Sequence, residues 1–115
     1  MDFAYYVKRQ KDWSLTTLGR GRRTEGIIKH IQSELEEIKK SPLMLEEWID
    51  VIILAIDGAW RMGFTSDDIE AELMRKQTLN IAIRKWPAIE VSEANESEPI
   101  YHIKEDNDAT KPKKK

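Results

Sequence analysis

Cysteine is absent from the 115-residue chain, and its absence excludes disulfide frameworks, thiolate zinc sites and cysteine nucleophiles. A metal bound by this sequence would sit on oxygen ligands or, as second choice, on histidine. A positive excess is lacking too. With 19 Lys and Arg against 21 Asp and Glu the net charge is -2, so no overall positive field recruits nucleic acid, and none is expected as a partner. Long apolar runs are missing. The longest, Val51 to Ala59, is interrupted by Asp57 and is far short of the roughly 20 residues a membrane span needs. The N-terminus has Asp2 and scattered basic residues where a signal peptide would carry an apolar stretch, so a cytoplasmic location is the expectation. No internal repeat is visible.

What is present is charge and helix periodicity. Charged residues are 35% and apolar ones 40% of the chain, enough for one core within a densely charged surface. A domain this small buries a modest share of its surface, which makes assembly into an oligomer a natural further source of stability. From Thr24 to Lys40, the residues Ile27, Ile28, Ile31, Leu35 and Ile38 recur at helical spacing. Ser41-Pro42 then reads as an N-cap followed by proline at the first helical position, opening a second helix that runs to Met62 with Gly63 as its cap. Thr65 and Asp68 form an acidic capping box for a third helix, which should end near Trp86-Pro87. Residues 1–23 read as a loop or short helix ahead of the core. The expected division is a helical domain over 1–91 and a charged, disordered tail over 92–115, in which Ile100-Tyr101-His102-Ile103 is a patch that can dock on the body.

Several carboxylates are out of place for ordinary helix surface. Ile27, Ile31, Glu34 and Ile38 alternate at spacings of four, three and four, so Glu34 occupies an apolar seam, with Glu37 one turn along. The second helix is nearly apolar all round from Trp48 to Trp60, the mark of a buried helix, yet carries Glu47, Asp50 and Asp57 on one face. The short link between the helices predicts an antiparallel hairpin. In it the pairs Glu34 with Asp50 and Glu37 with Glu47 are both centred on residue 42, and so lie level. Four converging carboxylates repel by about 4 kcal/mol per close pair at an effective dielectric near 20. Oxygen-only ligation of that kind calls for a hard cation, Mg²⁺ or Mn²⁺, which reaches substrate phosphates through the rest of its shell.

The paired motifs Glu34-x-x-Glu37 and Glu47-x-x-Asp50, with Lys76-x-x-x-Asn80 and Arg84, resemble the all-α nucleoside triphosphate pyrophosphohydrolases of the MazG-like superfamily. Ser14-Leu15-x-x-Leu18-Gly19, Arg23-Thr24-Glu25-Gly26, His30-Ile31, Glu46-Glu47-Trp48-Ile49-Asp50, Asp57-Gly58-Ala59-Trp60-Arg61 and Trp86-Pro87 are similar to the phage and bacterial dATP/dGTP diphosphohydrolase branch, of MazZ type. The resemblance spans roughly residues 13–88. The interval between the two acidic motifs is shorter than in many members of the superfamily, as is usual in this branch. It implies a helical bundle completed by oligomerisation, as a dimer or a dimer of dimers. It also implies cleavage of a purine deoxynucleoside triphosphate, dGTP ahead of dATP, into monophosphate and pyrophosphate.

On this reading Glu34, Glu37, Glu47 and Asp50 hold two or more Mg²⁺ ions, with Glu37 a candidate general base. Lys76, Asn80 and Arg84 share a helix face and are candidates for the triphosphate. Arg23, in the basic Gly19 to Arg23 stretch, is a further phosphate candidate, and Trp13 a stacking partner for the base. His30 and Asp57 are candidates for supporting the carboxylates. A ferritin-like di-iron site is excluded for want of Glu-x-x-His pairs. The rival is a non-enzymatic helical module whose acidic face binds a basic partner.

Overall fold

The structure is a computed structural model that describes residues 1–104. Five α-helices follow one another: α1 Phe3–Leu18, α2 Thr24–Lys40, α3 Leu45–Arg61, α4 Ser66–Thr78 and α5 Ile89–Ala94, with a π-helical turn at Leu79–Ile83 between the last two. No strand occurs among the described residues, and the class is all-α as expected. None of these helices is long and apolar enough to cross a membrane. The chain divides within α4 into two compact units, Met1–Glu72 and the residues from Leu73 onward.

The first unit is built on the α2–α3 hairpin, with α1 packed on α3. Helix α1 is a correction to the sequence reading, which allowed only a loop or short helix there. Its start is capped by Asp2, whose carboxylate accepts from the Ala4 amide at 3.0 Å. The inward stripe Phe3, Val7, Gln10 and Ser14 has helical spacing but includes two polar residues, which hides it from a hydrophobic pattern. The second helix also differs from expectation. Pro42 is not its first residue; Ser41 to Met44 form a turn closed by the Met44 amide on the Ser41 carbonyl at 3.0 Å, with Pro42 at its second position. The Pro42 carbonyl accepts the Trp48 indole N–H at 2.9 Å, tying the turn to the first turn of α3. At the other end of α3 Gly63, at φ +100, takes the left-handed position. There its amide bonds to Trp60 and that of Phe64 to Ala59, a complete C-terminal cap.

Buried charge fixes α1 and its following loop to α3. Arg61 bonds through Nε to Asp57 at 2.9 Å, through Nη1 to the carbonyls of Gly19 at 2.8 Å and Gly21 at 2.6 Å, and through Nη2 to the Ser14 hydroxyl at 2.7 Å. Its side chain is 1% exposed and that of Asp57 5%, so neither charge can be satisfied by water. The Trp60 indole donates to the second Asp57 oxygen, and its ring lies 4.7 Å from the guanidinium carbon. Burial and then the Asp57 charge raise the Tyr6 phenol above its ordinary pKa.

The reading of α3 as buried all round is not met within the single chain. Trp48, Ile49 and Ile52 are exposed, as are Ile28 and Leu35 on α2, although α2 and α1 both pack on α3.

The Thr65–Asp68 capping box forms at the start of α4, still within the first unit, with both reciprocal bonds near 3 Å; in the second unit the helical run ends at Ile83, slightly short of Trp86-Pro87. The composition break at residue 91 falls inside α5. The Ile100 to Ile103 patch docks, its Ile103 amide donating to the Lys85 carbonyl at 2.7 Å. The expected disorder of the tail lies, from residue 105, outside the described residues.

Removing one partner of a buried pair leaves the other charge without compensation, so Asp57→Ala or Arg61→Ala should each cost about 3–5 kcal/mol in urea denaturation. The double variant should lose less than the two losses added together.

Candidate functional site

The hairpin turn decides where the acidic motifs meet. With α2 ending at Lys40 and α3 starting at Leu45, the antiparallel helices of the hairpin bring Glu34 level with the first turns of α3. Glu34, Glu47 and Asp50 each present a carboxylate oxygen, all within 4.8 Å of one another. The three side chains are half-buried. Three acid oxygens this close could hold a metal ion, and oxygen ligands of this kind suit a hard cation. Helix α3 contributes its positive N-terminal end to Glu47, which lies in its first turn.

Glu37 is not part of the three-oxygen group. Its side chain is 50% exposed with its carboxylate 3.8 Å from Lys40, whereas that of Glu34 is 16% exposed. The charge of Glu37 still reaches the cluster. Glu47 has its pKa raised, first by desolvation and then by the carboxylates of Glu34, Asp50, Glu46 and Glu37 in that order. His30, one turn before Glu34 on α2, places Nε2 3.3 Å from its carboxylate, the contact anticipated from the spacing.

The remaining candidates are distributed more widely. Asp57 is committed to Arg61 and Trp60, and stands about 10 Å along α3 from Asp50 at 1.5 Å per residue. Arg23 precedes α2 in a left-handed conformation, φ 56, about 16 Å along the helix from Glu34. Any contact it makes with substrate is therefore remote from the acids. Trp13 is 53% exposed on α1, beside a groove of about 440 Å³ that it lines with Met1, Tyr5, Tyr6, Arg9 and Gln10. It is surface, not core. Lys76, Asn80 and Arg84 belong to the second unit, where all three are half-buried. Arg84 donates through Nη1 to the Asn80 side-chain oxygen at 2.9 Å, while its Nε is buried without a partner among the described residues. An unmet buried donor costs about 1–3 kcal/mol.

Two sets of contacts were not legible beforehand. Ser14 and the carbonyls of Gly19 and Gly21 complete the Arg61 network, and only the Asp57-to-Arg61 spacing on one helix face hinted at it. Trp86 donates to the Asn80 backbone, a bond made available by a π-helical turn that no propensity signals.

The raised pKa of Glu47 has a defined consequence for stability. Its folded pKa lies above the unfolded carboxylate value, so its stabilising contribution is full below the unfolded value and is lost as pH rises through the folded one. In EDTA Glu47→Gln should therefore raise the neutral-pH Tm, and its advantage over wild type should shrink as pH is lowered toward the carboxylate range. A divalent cation should raise the wild-type Tm by several degrees, through binding to the folded state alone, and raise that of the variant less.

A family model described as dATP/dGTP pyrophosphohydrolase matches residues 6–109. No curated protein and no solved structure is matched by the chain. Coverage of nearly the whole sequence, an all-α fold and three converging carboxylates agree with one another, and the chain belongs to the dATP/dGTP pyrophosphohydrolase family.

Proposed function

We propose that the protein hydrolyses dGTP, and less readily dATP, to the monophosphate and pyrophosphate in a reaction that requires Mg²⁺ or Mn²⁺. The observation that carries this reading is the three-carboxylate convergence of Glu34, Glu47 and Asp50 in a chain whose family is named for that reaction. Two or more ions on these residues would supply charge neutralisation at the α-phosphoryl group and the departing pyrophosphate, and would activate water. Glu34, Glu47 and Asp50 hold the ions, and His30 keeps the Glu34 carboxylate turned inward. Glu37, outside the three-oxygen group yet close enough to influence Glu47, is assigned the role of taking the proton from the attacking water.

Lys76, Asn80 and Arg84 are assigned to phosphate oxygens, for which charged donors are suited. Arg23 and Trp13, remote from the acids or on the surface groove of α1, are assigned to the far parts of the nucleotide, Trp13 stacking on the purine. The exposed apolar side chains Trp48, Ile49 and Ile52 of α3 and Leu35 of α2 support assembly as a dimer or dimer of dimers, since patches of this kind mark protein contacts. A module that binds a basic partner through the acids would not account for the family match over residues 6–109.

Purified protein with Mg²⁺ should release pyrophosphate from dGTP and dATP in a panel of ribo- and deoxynucleoside triphosphates, and release none in EDTA. Glu37→Gln should lower kcat by about 10²- to 10⁴-fold, and Asp50→Asn at least as much, with helical circular dichroism unchanged. Undiminished release in both variants would reject the site, and no release from any nucleotide would reject the activity.

A further inference from the structure

The helix that starts at Ser66 does not finish in α-helical register. The Arg84 amide reaches back five residues to the Leu79 carbonyl at 2.8 Å, where an α-helix would use the carbonyl of Asn80. That carbonyl is thereby released from the ladder, and it accepts the Trp86 indole N–H at 2.7 Å. Meanwhile the Asn80 side chain accepts from Arg84 Nη1 at 2.9 Å. One end of the guanidinium is thus fixed by Asn80, and its Nε is buried with no partner among the described residues. A guanidinium fixed on one side matches phosphate oxygens through its remaining donors. Single π-helical turns recur at functional sites. Trp86 is itself held from behind: its ring meets the His102 ring edge-on with centroids 5.9 Å apart, and the neighbouring Lys85 carbonyl accepts the Ile103 amide at 2.7 Å.

We propose that Trp86 is a positioning residue for substrate binding, its indole N–H holding the Leu79–Ile83 turn open so that Arg84 presents its guanidinium to a substrate phosphate. The inference rests on the assignment of Arg84 as a phosphate ligand. Without the indole donor, the Asn80 carbonyl is left to take back the Arg84 amide. The turn then closes to α-helical register and rotates Arg84 away from the Asn80 side chain. Trp86→Phe removes that donor while keeping a ring against His102.

The test is steady-state pyrophosphate release from dGTP by the full chain at saturating Mg²⁺. Trp86→Phe should raise KM by about tenfold, the scale of one hydrogen bond, with kcat within about twofold of wild type and circular dichroism unchanged. Trp86→His, which retains a ring N–H, should fall between the two. Arg84→Gln should raise KM further, and Trp86→Phe added to it should change nothing more, because both act through one guanidinium. An unchanged KM in Trp86→Phe, a fall in kcat alone, or effects that multiply in the double variant would each overturn the inference while leaving the Arg84 assignment in place. A wild-type KM in Arg84→Gln would overturn that assignment together with the inference, with the pyrophosphohydrolase reading intact so long as the wild type releases pyrophosphate.

Discussion

A single buried guanidinium organises the first unit. Arg61 ends α3, yet its donors reach Asp57 on its own helix, Ser14 on α1 and the two glycine carbonyls of the loop that follows α1. Asp57 and Ser14 are buried away from water while the glycine carbonyls belong to an exposed loop, and the network attaches α1 with that loop to the hairpin. Breaking even with hydrophobic residues is the usual outcome for such pairs. What the ionic version adds here is register, because a planar fork with several fixed acceptors tolerates one placement of α1 and apolar contact would tolerate several.

The two ends of α3 treat negative charge in opposite ways. At Asp57 the carboxylate is neutralised within the fold. At Glu47 and Asp50 it is brought against Glu34, and the mutual repulsion contributes to the raised pKa of Glu47, after desolvation. A cluster that the fold assembles against its own repulsion is suited to an added cation, as functional sites commonly trade local stability for chemistry. The helix that carries both ends also leaves Trp48, Ile49 and Ile52 uncovered in the single chain.

In the second unit the same economy of backbone groups recurs. A one-residue slip into π-helical pairing moves the Arg84 amide to Leu79 and gives the Asn80 carbonyl to an indole. Asn80 then serves twice, through its backbone and its side chain, and the segment Ile100–Ile103 backs the arrangement through His102 and Ile103.

Much of this was determined by the sequence by itself. Periodic isoleucines marked α2 to the residue, the Thr65–Asp68 box marked the start of α4, and the level spacing of Glu34 and Asp50 about residue 42 placed acids from two helices together. These are short-range regularities, which helix geometry converts directly into space. Tertiary structure alone decided the rest. Helix α1 was hidden because Gln10 and Ser14 occupy inward positions, and Ser14 is acceptable there only because Arg61, 47 residues away, binds its hydroxyl. Pro42 became the second residue of a turn instead of the first of a helix, since the Trp48 indole captures its carbonyl. Glu37 stands outside the three-oxygen group, and the π-helical turn leaves the Asn80 carbonyl to an indole three residues beyond the turn. The partners lie 47 residues away for Ser14 and six for each indole, and hydrophobic periodicity marks none of them because it registers apolar spacing and not the pairing of polar groups.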